Sequence, residues 1–143
     1  MKTFPSQLSK QTAPAASLKR ILLIEDDEGD QGLFMAALNS VELRLQCKVV
    51  NNGLDAINHL NRPLQYEMIF LDLNMPLMGG LDFLKILHEK KNAINIPVVV
   101  MTTSIEPSDK DRCEALGVKF FFHKPAKFEE LCLGIENIIN DIN

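Results

Sequence analysis

Four groups of polar residues in this sequence have side chains that could act together, and each group follows an apolar run, with one residue, His123, between the last run and Lys124. The groups are Glu25-Asp26-Asp27, Asp72 with Asn74, Thr102-Thr103-Ser104, and Lys124-Pro125. Clustered carboxylates repel one another unless a cation lies among them, and a hard cation with oxygen ligands is Mg²⁺. A carboxylate beside Mg²⁺ and a lysine can attack phosphorus, while the metal, an ammonium and a hydroxyl share the phosphoryl charge. Each group alone is also typical of a turn or a helix start, so this hypothesis depends on the four together.

The apolar runs that precede these groups predict buried strands. Runs of four or five apolar residues without alternation are typical of strands covered on both faces, as in a parallel sheet. They occur at 21–24, around 49–50, and at 68–71, 98–101 and 120–122. Alternation with helical segments predicts an α/β fold, a flavodoxin-like (βα)5 doubly wound parallel sheet with strand order 2-1-3-4-5. The four polar groups would then meet at the carboxyl edge of the sheet.

Helical periodicity fills the segments between the runs. We expect apolar stripes in four helices, formed by Leu33, Phe34, Ala37, Leu38 and Val41, by Leu54, Ile57 and Leu60, by Leu81, Leu84 and Leu87, and by Phe128, Leu131, Cys132, Ile135, Ile138, Ile139 and Ile142. A fifth helix, from Pro107 to Leu116 with Gly117 as its cap, has an almost wholly polar middle. Its apolar anchors are chiefly Cys113, Ala115 and Leu116, so it should be lightly held.

Composition limits the class of protein. The chain has 143 residues, 46% of them hydrophobic and 24% charged, with a net charge of −4. This predicts one globular domain over residues 19–143 and a disordered or loosely held tail over 1–18. The acidic charge argues against DNA binding, and no apolar run is long enough for a membrane span or a signal peptide. Three widely spaced cysteines suit a reducing compartment, so we expect a cytoplasmic protein.

Motifs over residues 19–142 together resemble the response-regulator receiver domain, the CheY-like phosphoacceptor module of two-component signalling. They read ILLIEDD, MIFLDLNMPLMGG, PVVVMTTS and FFFHKPA. The resemblance implies that Asp72 is the phosphorylated residue. It also implies a Mg²⁺ site formed by Glu25, Asp26, Asp72 and the backbone carbonyl of Asn74, with Asp26 as a direct ligand.

The resemblance implies roles for three further residues. Thr102 matches the switch hydroxyl, Phe121 the switch aromatic residue, and Lys124 the phosphate-binding lysine. A cis peptide bond between Lys124 and Pro125 is also implied. Asp27 is an additional acid, which we interpret either as a residue that supports the metal ligands or as a helix-start residue. Ala126 stands where phenylalanine is frequent in the family.

The resemblance further implies a stand-alone receiver that acts as a switch and not as a turnover enzyme. A sensor histidine kinase or phosphotransfer protein would supply the phosphoryl group, and the face of the fourth helix, fifth strand and fifth helix would bind an unknown downstream protein or a second copy. The IEDDEGDQGLF stretch resembles receivers that are paired with phytochrome-type kinases. The length of the chain predicts no DNA-binding domain.

Two other classes of protein share part of this residue pattern. A phosphatase of the haloacid-dehalogenase kind also forms an aspartyl phosphate, but it needs a second Asp two residues after the nucleophile, where this chain has Asn74. A receiver-like interaction module that never takes phosphate would be expected to lack the lysine or the metal acids. Both kinds of residue are present here, which favours the phosphorylated receiver.

Overall fold

The computed structural model describes residues 18–41, 44–62, 66–75, 78–90, 94–104 and 106–142. Residues 1–17, which make up nearly all of the expected tail, lie outside this part of the chain. Five strands and five helices alternate in the order β1 (Lys19–Ile24), α1 (Glu28–Asn39), β2 (Leu45–Val50), α2 (Gly53–Leu60), β3 (Met68–Leu71), α3 (Gly80–Glu89), β4 (Val98–Thr102), α4 (Pro107–Ala115), β5 (Phe120–His123) and α5 (Phe128–Ile142). The predicted alternation is confirmed.

The five strands form one parallel sheet in the order β2-β1-β3-β4-β5, as the sequence predicted. Successive side chains of a strand point to opposite faces, so each strand contributes to two cores. Leu22 and Ile24 pack on the face covered by α2, α3 and α4, while Ile21 and Leu23 pack on the face covered by α1 and α5. Because the central strands are covered on both faces, their residues form continuous apolar runs.

The prediction of a core-facing position is wrong for two residues of the apolar stripes. Leu33 is 51% exposed, and Leu54 is 54% exposed. The buried stripe of α1 begins at Phe34 and continues through Ala37 and Leu38, at helical spacing. Leu33 lies about 100° away from Phe34 around the helix axis, so it faces away from the sheet.

The light attachment predicted for α4 is confirmed. Cys113 is the one residue that this helix buries, and Ala115 is exposed although it was expected to be an anchor. Gly117 follows the helix with φ of 83°, a left-handed conformation that favours glycine and ends the helix.

The peptide bond between Lys124 and Pro125 is trans, because the described residues contain no cis bond. The cis bond implied by the family resemblance is therefore wrong for this structure. The trans form has the lower intrinsic energy, by about 0.5–1 kcal/mol for a bond before proline.

The three cysteines are free thiols; Cys113 is buried, and Cys47 and Cys132 are half-buried. Burial raises the pKa of Cys47 to about 12 and that of Cys113 to about 11. None of the described helices combines the length and the apolar character that crossing a bilayer requires.

Candidate functional site

The carboxyl edge of the sheet brings three carboxylates together. Glu25 and Asp26 directly follow β1, and Asp72 directly follows β3, the neighbouring strand. One carboxylate oxygen from each of the three lies within 4.8 Å of the others. Glu25 and Asp72 are buried, whereas Asp26 is exposed. The sequence predicted this cluster, and the parallel sheet explains it, because neighbouring parallel strands end at the same edge.

Lys124, the residue after β5, reaches this cluster from the other side. Its Nζ donates a hydrogen bond of 2.6 Å to Glu25 Oε1, and it lies 3.6 Å from Asp72 Oδ2, close enough for an ion pair. The lysine side chain is 13% exposed. The backbone N–H of Lys124 donates to the carbonyl of Thr102 at 2.8 Å, which holds the lysine at the end of β4.

The charges at the site do not cancel. Burial raises the pKa of Glu25 to about 7, and the adjacent Asp72 adds to the rise, while the hydrogen bond from Lys124 opposes it. Burial acts to lower the pKa of Lys124, but its hydrogen bond to Glu25 and the charge of Asp72 outweigh that effect and raise this pKa above the usual value. The lysine therefore remains protonated, and its single positive charge faces the carboxyl groups of Glu25, Asp26 and Asp72.

This donor set fits a hard divalent cation. Carboxylate and carbonyl oxygens are the ligands that Mg²⁺ and Mn²⁺ take in proteins, and the positive charge of such an ion would be balanced by the carboxylates. The backbone N–H of Asn74 donates to Asp72 Oδ1 at 3.3 Å, which places Asn74 beside the cluster. Its backbone carbonyl stays a predicted ligand.

Gly80 shapes the loop that carries Asp72. A Cβ at this position would lie 2.6 Å from the Leu73 Cα and 2.8 Å from the Asp72 carbonyl oxygen. The N–H of Gly80 also donates to the Leu73 carbonyl at 3.1 Å. The start of α3 therefore packs directly on the backbone of the loop after β3, and only glycine allows that approach.

The two predicted switch residues lie on neighbouring strands. Thr102 ends β4 and is fully buried, and its Oγ1 accepts a hydrogen bond of 3.1 Å from the backbone N–H of Ser104. Phe121 on β5 is half-buried and packs against the same core that holds Cys113 of α4. The Ser104 hydroxyl in turn donates to Asp109 Oδ2 of α4 at 2.6 Å, so two hydrogen bonds connect Thr102 with α4.

Asp30 is a site residue that the sequence analysis missed. It lies in the first turn of α1, where acidic residues are common because they stabilise helix starts, so its type carried no special signal. In the structure its Oδ2 accepts a hydrogen bond of 3.1 Å from Lys124 Nζ. Its position four residues after Asp26 was the available clue. Asp27, by contrast, has the second of its two expected roles, because its side chain caps the start of α1.

A cavity of about 410 Å³ adjoins the site. It lies between the start of α1 and the start of α5, and its lining includes Lys124, the exposed Leu33 and the half-buried Leu131. The approach to the site from this side is therefore partly apolar.

A doubly wound sheet of this strand order, with clustered acids and a lysine at its carboxyl edge, defines the class of CheY-like receivers. The chain belongs to the response regulator receiver domain family, whose model matches residues 21–136.

Several known proteins are similar to this chain. Response regulator Rcp1 from Synechocystis sp. is 29% identical, over 84% of this chain and 86% of Rcp1. The phosphorylated cyanobacterial phytochrome response regulator RcpA, known from a crystal structure, has 29% sequence identity to this chain. The structural alignment covers 85% of this chain and 91% of RcpA, with a TM-score of 0.75. The bacteriophytochrome response regulator RtBRR is 32% identical over 85% of this chain and 78% of its own, with a TM-score of 0.71.

Two further similarities concern the metal and the chain length. The Mn²⁺-bound form of Rcp1, known from a crystal structure, has 29% sequence identity to this chain. The structural alignment covers 84% of this chain and 91% of the Rcp1 chain, with a TM-score of 0.75. The chain spans only 15% of probable histidine kinase 1 from Oryza sativa and 50% of the cell cycle transcriptional regulator CtrA from Caulobacter vibrioides. Receivers similar to this one thus occur in proteins of very different size.

Proposed function

We propose that this receiver accepts a phosphoryl group on Asp72 in a Mg²⁺-dependent reaction and thereby switches its binding to a partner. The observation that carries the proposal is the position of the Asp72 carboxylate. It is buried at the end of β3, near the oxygens of Glu25 and Asp26, and it lies 3.6 Å from the Lys124 ammonium. A carboxylate held between an acidic metal site and a fixed cation has the surroundings that phosphoryl transfer needs.

In the transfer, an oxygen of the Asp72 carboxylate attacks phosphorus, and the bond between phosphorus and the donor breaks. The donor leaves with the bonding electron pair, as an imidazole from a phosphohistidine or as acetate from acetyl phosphate. Glu25, Asp26, Asp72 and the Asn74 carbonyl are the residues that would hold Mg²⁺. The bound ion supplies positive charge to the phosphoryl oxygens. Mn²⁺ in the Rcp1 structure supports a divalent cation at this site.

Lys124 and Thr102 recognise the product of the transfer. The Lys124 ammonium pairs with a phosphoryl oxygen, and the Thr102 hydroxyl donates a hydrogen bond to another. Thr102 moves toward the phosphoryl group, and Phe121 turns into the space that it leaves. The face formed by α4, β5 and α5 then changes shape, because the phosphoryl group makes different contacts in the two states.

A sensor histidine kinase or a phosphotransfer protein is the proposed phosphoryl donor. A downstream protein or a second copy of the chain is the proposed binding partner of the phosphorylated form. RcpA is a phytochrome response regulator, and RtBRR is a bacteriophytochrome response regulator. Their similarity to this chain supports a donor kinase of the phytochrome type. Phosphorylation changes what the chain binds, so the chain works as a binding switch and not as a turnover enzyme.

The test is incubation with acetyl phosphate and Mg²⁺, followed by intact mass measurement and mapping of the modified residue. The wild-type chain should gain one phosphoryl group on Asp72, and Asp72→Asn should gain none. Asp82→Asn is the matched control, because Asp82 is an exposed acid in the first turn of α3 and should label like the wild type. Full labelling of Asp72→Asn at another residue would show that Asp72 is not the acceptor.

A further inference from the structure

Lys124 is shared between the proposed acceptor and a second carboxylate on α1. Its Nζ donates to Glu25 at 2.6 Å and to Asp30 at 3.1 Å, whereas Asp72 lies at 3.6 Å, within ion-pair reach only. An ammonium has three N–H donors, and two of them are engaged by carboxylates other than Asp72. The lysine that should bind the phosphoryl group is therefore already bound elsewhere.

The position of Asp30 is set by the start of α1. Its backbone N–H donates to the capping Asp27 Oδ1 at 2.8 Å, which fixes the first turn. The next residue, Gln31, donates through Nε2 to the Glu25 carbonyl at 2.7 Å and to Asn51 Oδ1 at 2.9 Å. These bonds hold α1 against the loop that carries the acidic pair, so the Asp30 carboxylate is presented to Lys124 by a rigid element.

Asp30 also differs from the other acids near the lysine. Its side chain is 42% exposed, whereas those of Glu25 and Asp72 are 3% and 10% exposed. It is also not part of the group of carboxylates whose oxygens cluster for a cation. A metal ion at that cluster would therefore leave the bond between Asp30 and Lys124 in place.

We propose that Asp30 is a positioning residue that competes with the phosphoryl group for the lysine ammonium. This inference depends on the proposed function, since it concerns how readily the phosphorylated state forms at Asp72. Without the Asp30 charge, Lys124 is freer to turn toward the phosphoryl oxygens. Asp30 thus sets the fraction of molecules that are in the activated state at a given concentration of phosphoryl donor.

Asp30→Asn tests this directly. The variant should bind beryllofluoride, a mimic of the acyl phosphate, about two- to fivefold more tightly than the wild type, which is the range expected for a partly exposed ion pair. It should also gain the phosphoryl group from acetyl phosphate faster. Beryllofluoride affinity is measured by fluorine NMR titration in saturating Mg²⁺, and labelling by intact mass.

Two matched variants separate this effect from a general change in charge. Glu28→Gln removes the same charge from the same helical turn, at an exposed residue with no described contact to Lys124, and should leave the affinity unchanged. Asp30→Glu keeps the charge and should stay close to the wild type.

A double-mutant cycle with Lys124→Gln shows whether Asp30 acts through the lysine. In the Lys124→Gln background, Asp30→Asn should change the beryllofluoride affinity by a factor close to one, because the competition no longer exists. An equal gain in both backgrounds, or an equal gain from Glu28→Gln, would overturn the proposal. Absence of any labelling on wild-type Asp72 would instead contradict the proposed function, so the two failures are distinguishable.

Discussion

At the scale of single residues, the buried hydroxyl of Thr102 makes a specific prediction. Its Oγ1 accepts from the Ser104 N–H in the unphosphorylated structure, so Thr102→Val should leave that amide without its partner. The Ser104 amide should then exchange with solvent about two- to tenfold faster, as the net worth of one hydrogen bond implies. Thr102→Ser keeps the hydroxyl and should preserve the slow exchange. Amide exchange measured by NMR in the three proteins decides this, and equal rates in Thr102→Val and the wild type would contradict it.

The residues that follow strands could be predicted from the sequence, whereas the contacts of one helix residue could not. Glu25, Asp72 and Lys124 each come directly after a strand, and strand ends in a parallel sheet share one edge. Asp30 lies on a helix, and its contact with Lys124 depends on the rotation of α1 and on the cap at Asp27. Residue type and spacing do not determine that rotation to within a hydrogen bond.

At the scale of secondary-structure elements, α4 should respond most to activation. Cys113 is its buried anchor, and burial raises the pKa of this thiol to about 11, with Asp109 adding to the rise. Thiolate is the reactive form, so Cys113 should react slowly with thiol reagents at pH 8. Beryllofluoride in saturating Mg²⁺ should change that rate if α4 moves, because a reagent reaches the thiol only when the helix opens.

Cys47 on β2 serves as the internal reference for this measurement. Burial raises its pKa to about 12, and β2 is the strand farthest from α4 in the sheet. Peptide mass spectrometry should therefore show a changed labelling rate at Cys113 and an unchanged one at Cys47. If hydrogen exchange changed only in the loops after Asp26, Asp72 and Lys124, and the labelling rate of Cys113 stayed the same, the proposed output face would be wrong.

The contact of α5 with β5 predicts opposite effects for two glycine substitutions. A Cβ at Gly134 would clash with the ring of Phe122, whereas a Cβ at Gly32 in α1 has no atom within 4 Å. Gly134→Ala should therefore lower the free energy of unfolding by about 1–3 kcal/mol, the usual cost of overpacking. Gly32→Ala should raise it by about 0.5–1 kcal/mol, since alanine favours the helix. Urea unfolding measures both, and stabilisation by both substitutions would contradict the tight contact.

The order and type of the elements were predictable because both core faces produce strong apolar patterns. The predictions that were wrong concern features that depend on tertiary packing. Leu33 and Leu54 have the residue type of a core position, but the rotation of their helices exposes them. The trans bond before Pro125 shows another limit, because the two isomers before proline differ by only about 0.5–1 kcal/mol and a sequence motif does not determine which of them forms.

At the scale of the whole molecule, the acidic cluster links cation binding to stability. Ions that bind only the folded state stabilise it by mass action, about 2.7 kcal/mol at a hundred times the dissociation constant. Saturating Mg²⁺ should therefore raise the midpoint of thermal unfolding. Asp26→Asn should lose most of this response, and Asp111→Asn, which removes an exposed acid from α4, should retain it. An unchanged magnesium response in Asp26→Asn would exclude Asp26 as a ligand.

The bond between Glu25 and Lys124 joins residues that are 99 positions apart in the chain. During synthesis on the ribosome, the acidic pair therefore emerges long before the lysine, by about 5–20 seconds at ordinary rates of elongation. Under the proposed function, a nascent chain that ends before β5 would have the acids and the proposed acceptor without the ammonium that pairs with them. It would become able to receive a phosphoryl group only when the last strand joins the sheet, so an unfinished chain would not compete with finished molecules for the phosphoryl donor.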